Sequence, residues 1–470
     1  MGLFQRARSR VAGSTGEGER RRVPAPLIKR RLPSGRGAME QPNVTSDPDA
    51  PQTGRFWVAV VVTGVVTGLF GDLLMWVLYW AERVGFGYAG GSVQAAVMRT
   101  GEVRRVAALA GAAVIGSVAW YLIRRFFAHE HAEIDEALWT GTGELSFRRS
   151  LLTSLTSEVV VGLGASIGRE AAPKLMGGAS ASVLGEWFGL TPGQIRLLVA
   201  CGGGAGLACV YNVPFGGALF TAEVLYGSYA LPVALPALAT SFIATTVAWL
   251  YLPSRATYVN VPPYHFSATI MVWSLGAGVV IGLLAVLYVR LIGVAAHYRS
   301  RGANIFWTMP LAFLALAGIG TWFPQLFGNG KGMAHDAFLG VGSIGLLFAL
   351  AMLKPLVTAA VLGSGASGGV FTPFLSTGAV LGAFLGAAWS HLWPGAPVGA
   401  FALVGAAAMI GASMQAPFVG LVLVMELSHG GYDLVVPMIA ATVIATLLVR
   451  WIDGYSIYSA RLPFSERVHD

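Results

Sequence analysis

Charge is what this 470-residue chain has least of: Asp, Glu, Lys and Arg fill 11% of positions, where a soluble domain carries about a quarter. That scarcity excludes a soluble globular protein. Cysteine is nearly absent too, and the two present, Cys201 and Cys209, share one apolar segment, which excludes a disulfide framework and a thiolate metal site. No nucleophile sits beside a base, and no set of ligands stands at metal spacing, so neither an enzyme nor a metal or other cofactor is expected. The first 55 residues hold no apolar run, so no signal peptide is expected.

What is present is apolar surface and glycine. Hydrophobic residues make up 55% of the chain, the mean hydropathy is +0.65, and 62 glycines are roughly twice the average share. Many spans with close helix contacts follow, as in a polytopic membrane protein. Residues 1–54 differ, with ten Arg or Lys against five Asp or Glu. They read as a disordered basic tail on the cytoplasmic face that touches anionic lipid; nucleic acid is not an expected partner.

The expected spans begin with Phe56–Trp80 and Val103–Ile123. Later ones include Pro232–Leu252, Ala268–His297, Phe306–Phe323, Leu339–Leu362 and Asp433–Ile452. The loop from Pro253 to His265 holds one basic residue, Arg255, and so faces outside, whereas Arg290, Arg299 and Arg301 return the chain inside. The chain is expected to end without a soluble C-terminal domain.

One stretch contradicts its apolar surroundings. In Gly164-Ala165-Ser166-Ile167-Gly168-Arg169-Glu170-Ala171-Ala172-Pro173, glycine breaks a span and a helix resumes from Ala171 to Phe188. Glu170 thus stands at a helix N-terminus, where free amides and the dipole attract an anion. The reading is that its carboxylate competes with a diffusing anion for those amides, making Glu170 a gate and Gly168, Arg169 and Ala171 part of the anion site. An Arg169–Glu170 pair that only fixes the helix end is the plainer alternative.

The break recurs. Gly365-Ala366-Ser367-Gly368-Gly369-Val370-Phe371-Thr372-Pro373 repeats its order, and glycines 177 and 185 return as 378 and 386. Asn212-Val213-Pro214-Phe215 with Glu223 likewise returns as Gln415-Ala416-Pro417-Phe418 with Glu426. Matched interrupted helices are the mark of a transporter built by internal repetition, with repeat one at about 55–252 and repeat two at about 268–453. The expected fold is an all-α polytopic membrane protein, two inverted-topology repeats whose broken helices meet at a midplane anion site.

These residues resemble the CLC family of chloride channels and chloride/proton exchangers over about 55–465. Gly168-Arg169-Glu170 is similar to the family's gate element, and Gly369-Val370-Phe371-Thr372-Pro373 to the element whose amides line the anion site. Tyr458 matches the tyrosine that donates to the central anion. The resemblance implies chloride or a related anion as substrate. It also implies a homodimer with one path per subunit in the cell membrane, both termini cytoplasmic. Three departures stand out. His129 occupies the place of the family's anion-binding serine, Ala171 and Ala172 with Pro173-Lys174 alter the gate element, and Val224 replaces the inner proton-carrying glutamate. The last makes a passive chloride channel gated by Glu170 the first expectation. The alternative is proton-coupled exchange with Glu223, His129 or His131 as carrier, since a histidine titrates near neutrality. A metal at His129 and His131 is not expected, for want of further ligands.

Overall fold

The computed structural model describes residues 52–88, 90–127, 133–140 and 143–462. The basic tail up to residue 51, His129 and His131 lie outside them. The chain runs through α1 (Gly54–Phe86), α2 (Val93–Arg99), α3 (Glu102–Phe126), α4 (Ile134–Thr140), α5 (Phe147–Gly162), α6 (Ala171–Trp187), α7 (Pro192–Tyr211) and α8 (Pro214–Phe220). A π-helical turn, Thr221–Tyr226, extends α8 before α9 (Leu231–Ala248). The second half holds α10 (Ala268–His297), α11 (Ile305–Trp322), α12 (Lys331–Phe338), α13 (Ile344–Gly363), α14 (Phe371–Trp389), α15 (Val398–Met414), α16 (Pro417–Ser428) and α17 (Val435–Ile452). Among the described residues there is no strand beyond one bridge between Gly168 and Gly369.

Nine helices among the described residues are long and apolar enough to cross a membrane. Of these, α7 and α14 are 83% and 78% buried over their apolar windows, the others half or less. The former make the centre and the latter present apolar side chains outward, as lipid as solvent requires. Most expected spans appear with shifted ends. The exception is Leu339–Leu362, because Gly340 and Gly342 adopt φ of 74° and 129° and end the preceding short helix; α13 restarts at Ile344, capped by the Ser343 hydroxyl.

The two halves repeat in backbone detail. Gly164 and Gly365 share the left-handed conformation, at φ 109° and 113°. Asn212 and Gln415, the C-caps of α7 and α15, do so at 57° and 56°. The recurrent glycines let helices meet backbone to backbone: a Cβ on Gly177 would lie 2.0 Å from the Gly202 carbonyl oxygen, and one on Gly378 would lie 2.7 Å from that of Gly405. The halves are also latched reciprocally. The Glu223 carboxylate accepts the amides of Phe418 (3.3 Å) and Val419 (2.7 Å) at the start of α16, while Glu426 accepts those of Phe215 (3.1 Å) and Gly216 (2.5 Å) at the start of α8. Each acid serves the helix N-terminus of the other half.

Candidate functional site

Where the two breaks meet, Gly168 and Gly369 exchange amide-to-carbonyl hydrogen bonds of 2.7 and 2.8 Å. The bridge holds the start of α6 beside the start of α14. Glu170 is the N-cap of α6, and its carbonyl accepts the Lys174 amide, yet its side chain makes no capping bond to that helix. Its carboxylate crosses the bridge: Oε1 accepts the Phe371 amide at 2.7 Å, and Oε2 accepts the Thr372 hydroxyl at 3.1 Å and, more loosely, that of Tyr211 at 3.4 Å. This corrects the sequence reading in one respect. The contested amides belong to α14 of the second repeat, because a carboxylate on a capping residue in helical conformation (φ −73°, ψ −18°) cannot fold back onto its own first turn.

Both bridge glycines are required by that seat. A Cβ on Gly168 would stand 2.2 Å from Glu170 Oε1, and one on Gly369 would stand 1.9 Å from it. Tyr211 Oη lies 2.6 Å from Thr372 Oγ1, so the hydroxyls form a connected set around the carboxylate. A bond from a charged acceptor is worth about 1.5–3 kcal/mol, which makes the seat a firm but reversible anchor for one negative group.

Two cavities approach the seat, and Glu170 lines neither. The outer is bordered by Arg169, Arg255 and Lys331 with Glu82, Tyr211 and Gln325. Arg169 is buried, its guanidinium carbon 4.8 Å from the Tyr211 ring centre, and it does not pair with Glu170. The inner is bordered by Ala171, Gly369, Val370 and Tyr458, with Arg124, Arg149, Lys174, Arg299 and Arg461 facing Glu133 and Asp135. Burial opposes the charge of Glu133, but Arg461 at 2.6 Å and Arg299 at 3.9 Å, with Lys174 and Arg124, hold its carboxyl below the ordinary value.

The fold thus brings Gly168, Glu170, Phe371 and Thr372 into one seat and puts Ala171, Val370 and Tyr458 on the cavity inside it. Arg169 faces the other way. Glu223 lies on neither cavity and is engaged at α16. Sequence reasoning missed Tyr211, Lys174, Lys354 and Glu158. Lys354 is fully buried, its ammonium 2.8 Å from Ser166 Oγ and from the Gly328 carbonyl oxygen, and so holds the first break in place. Glu158 is fully buried with neither oxygen hydrogen-bonded among the described residues. A lone ionisable residue inside an apolar span was the available signal for both.

A family model described as voltage gated chloride channel matches residues 111–450. The chain is 32% identical over 417 residues to a voltage-gated ClC-type chloride channel of Yersinia pseudotuberculosis, covering 85% of this chain and 98% of the relative. It is 31% identical over 312 residues to an H(+)/Cl(-) exchange transporter of Yersinia pestis, covering 64% and 65%. In fold it is similar to a slow cyanobacterial Cl-/H+ antiporter (TM-score 0.76, 21% identity, 87% of this chain and 97% of that one). It is also similar to a CLC-type fluoride/proton antiporter (TM-score 0.69, 20% identity, 86% and 97%).

Proposed function

The chain belongs to the voltage-gated chloride channel, or CLC, family, and from that premise we propose that it is a proton-coupled anion antiporter whose shared element is Glu170. Transport of anions across a membrane is the coarse function; coupling is the finer reading. The observation that carries it is that the place for an anion at the start of α14 is filled by a titratable group. When an anion takes the Phe371 amide, the displaced carboxylate meets the outer cavity and can bind a proton. A neutral Glu170 no longer competes for that seat as an anion. One side chain therefore exchanges a proton for an anion, which a fixed wall cannot do. The names of the exchange transporter and antiporters to which the chain is similar support this reading.

For the inner proton donor we propose a residue other than the expected candidates. Glu223 is bound at α16, and His129 and His131 lie outside the described residues. We assign the role to Glu158. On its helix Ser154 and Ser157 border the inner cavity and Val161 and Gly162 the outer, so Glu158 stands between the two. Chloride is the proposed substrate, and the working unit a homodimer in the cell membrane with one path per subunit and both termini cytoplasmic. Passive conduction is the second reading, favoured by buried, apolar Val224.

Reversal potential in liposomes separates the two. At fixed chloride, an imposed pH gradient should shift it, and Glu170→Gln should keep anion flux while abolishing the shift. A parent protein that ignores the pH gradient is a channel.

A further inference from the structure

The Glu170 seat carries two hydroxyls that the fold does not require. Tyr211 ends α7 and Thr372 stands in the first turn of α14, and both are buried. The internal repeat pairs them with Met414 at the end of α15 and Ala171 at the start of α6, side chains without a hydroxyl at matching helix ends. Tyr211 is fixed from three sides. The Arg169 guanidinium carbon lies 4.8 Å from its ring centre, the Phe371 ring meets it edge-on at 5.9 Å, and its carbonyl accepts the Thr257 hydroxyl at 2.7 Å. Its own hydroxyl lies 2.6 Å from Thr372 Oγ1 and 3.4 Å from Glu170 Oε2, while Thr372 Oγ1 lies 3.1 Å from the same carboxylate oxygen. Three contacts thus share two hydroxyl hydrogens. The shortest contact takes one, and the other goes to the shorter of the two contacts with Glu170, so Tyr211 donates to Thr372 and Thr372 donates to the carboxylate. In such a chain each bond polarises the next, strengthening it by about 10–30%.

We propose that Tyr211 is a specificity-determining residue that acts through Thr372: it fixes the Thr372 hydroxyl as a second donor beside the Phe371 amide and so tilts the seat toward small anions of high charge density. A small anion gives up the most hydration on entering, and donors of high field strength are what offset that loss. A large, soft anion such as thiocyanate gives up little hydration and gains little from a hydroxyl. The carboxylate is itself a compact acceptor, which is why one pair of donors suits both the gate and the anion that replaces it. Tyr211 does not touch the anion in this scheme; it keeps the Thr372 hydroxyl aimed at the seat when the carboxylate has left. The inference rests on the proposed function only in taking the Phe371 amide as a place for an anion, and it needs neither proton coupling nor a particular inner donor.

Reversal potentials with chloride on one side of a liposome membrane and thiocyanate on the other test this in the full chain carrying Glu170→Gln. In that background the proton contribution is gone, so the potential reads the permeability ratio alone, whether the parent is an exchanger or a channel. Adding Thr372→Ala should lower the preference for chloride about tenfold, close to the lower end of what a bond to a charged group contributes. Adding Tyr211→Phe instead should lower it about two- to fourfold, and the two together should lose no more than Thr372→Ala does, because the hydroxyl through which Tyr211 acts is already gone. Thr372→Ser keeps the hydroxyl and should keep the preference. These substitutions suit the fold: phenylalanine removes one oxygen, and Ala171 occupies the matching place at the start of α6. An unchanged ratio on adding either Tyr211→Phe or Thr372→Ala overturns the proposal. Independent losses that multiply in the combined variant overturn it equally, since Tyr211 would then act without Thr372. A parent protein that ignores a pH gradient would instead remove the exchange reading and leave this inference standing.

Discussion

At the scale of single residues, the protein depends on carboxylates held in three different ways. Glu170 is satisfied by an amide and hydroxyls that an anion can equally use, so it is exchangeable. Glu158 is enclosed without a hydrogen-bond partner among the described residues, an arrangement costly to keep charged and therefore retained for a reason other than stability. Glu158→Gln preserves shape and removes titration. It should fold at least as well as the parent, keep anion flux and lose most proton flux, as a pH electrode outside loaded vesicles would record. Unchanged proton flux would exclude Glu158 from the proton route. Glu133 is the third kind, an acid held below its ordinary pKa by arginines. Because its folded value is depressed, the stability it contributes is present above the unfolded carboxylate value of about 4.3 and is lost as pH falls through the folded one. Thermal melts should weaken on acidification below about pH 4.3, and Glu133→Gln should flatten that part of the curve. A variant as acid-sensitive as the parent would deny Glu133 this role.

At the scale of elements, broken helices let one repeat complete the other. Gly369 is the sharpest probe. A Cβ there meets Glu170 side-chain atoms first, at 1.9 Å for Oε1, so the cost of Gly369→Ala falls on the movable carboxylate and not on the fold. The variant should resemble Glu170→Gln in stopped-flow flux, with anion passage kept and a flattened pH response; a parental pH response would mean that Glu170 does not depend on this seat. The latches at α8 and α16 make a different prediction. Glu223→Gln and Glu426→Gln each weaken two bonds to a helix N-terminus, so each should lower stability by about 1 kcal/mol while leaving anion selectivity unaltered. Melting in detergent measures the first and reversal potentials the second. A selectivity change in Glu223→Gln would return that residue to the transport path.

At the scale of the whole molecule, enclosure is graded from the centre outward. The helices that carry the seat, α6 and α14, pack through glycines against α7 and α15, and the outer spans shield them. The seat and its two cavities are thus enclosed within one chain, and in the proposed dimer the two paths would be independent. Multi-angle light scattering in detergent should give twice the chain mass. Reconstitution of parent subunits mixed with subunits lacking Glu170 should give two flux components, one pH-dependent and one not. A single intermediate behaviour would mean that the paths are shared.

Composition and pattern by themselves determined the membrane class, the all-helical fold, the two breaks and their recurrence, because apolar length, glycine and proline act locally and leave their mark at fixed spacing. Glu170 was legible for the same reason, as an acid beside a glycine-rich break in apolar surroundings. Only the tertiary structure decided which amide its carboxylate takes, since the start of α14 lies 201 residues away and no local signal links them. It likewise engaged Glu223 at the start of α16 and placed Lys174 over Tyr458. Such pairings depend on how two repeats face each other, a relation set by packing across the whole chain and invisible in the order of residues along it.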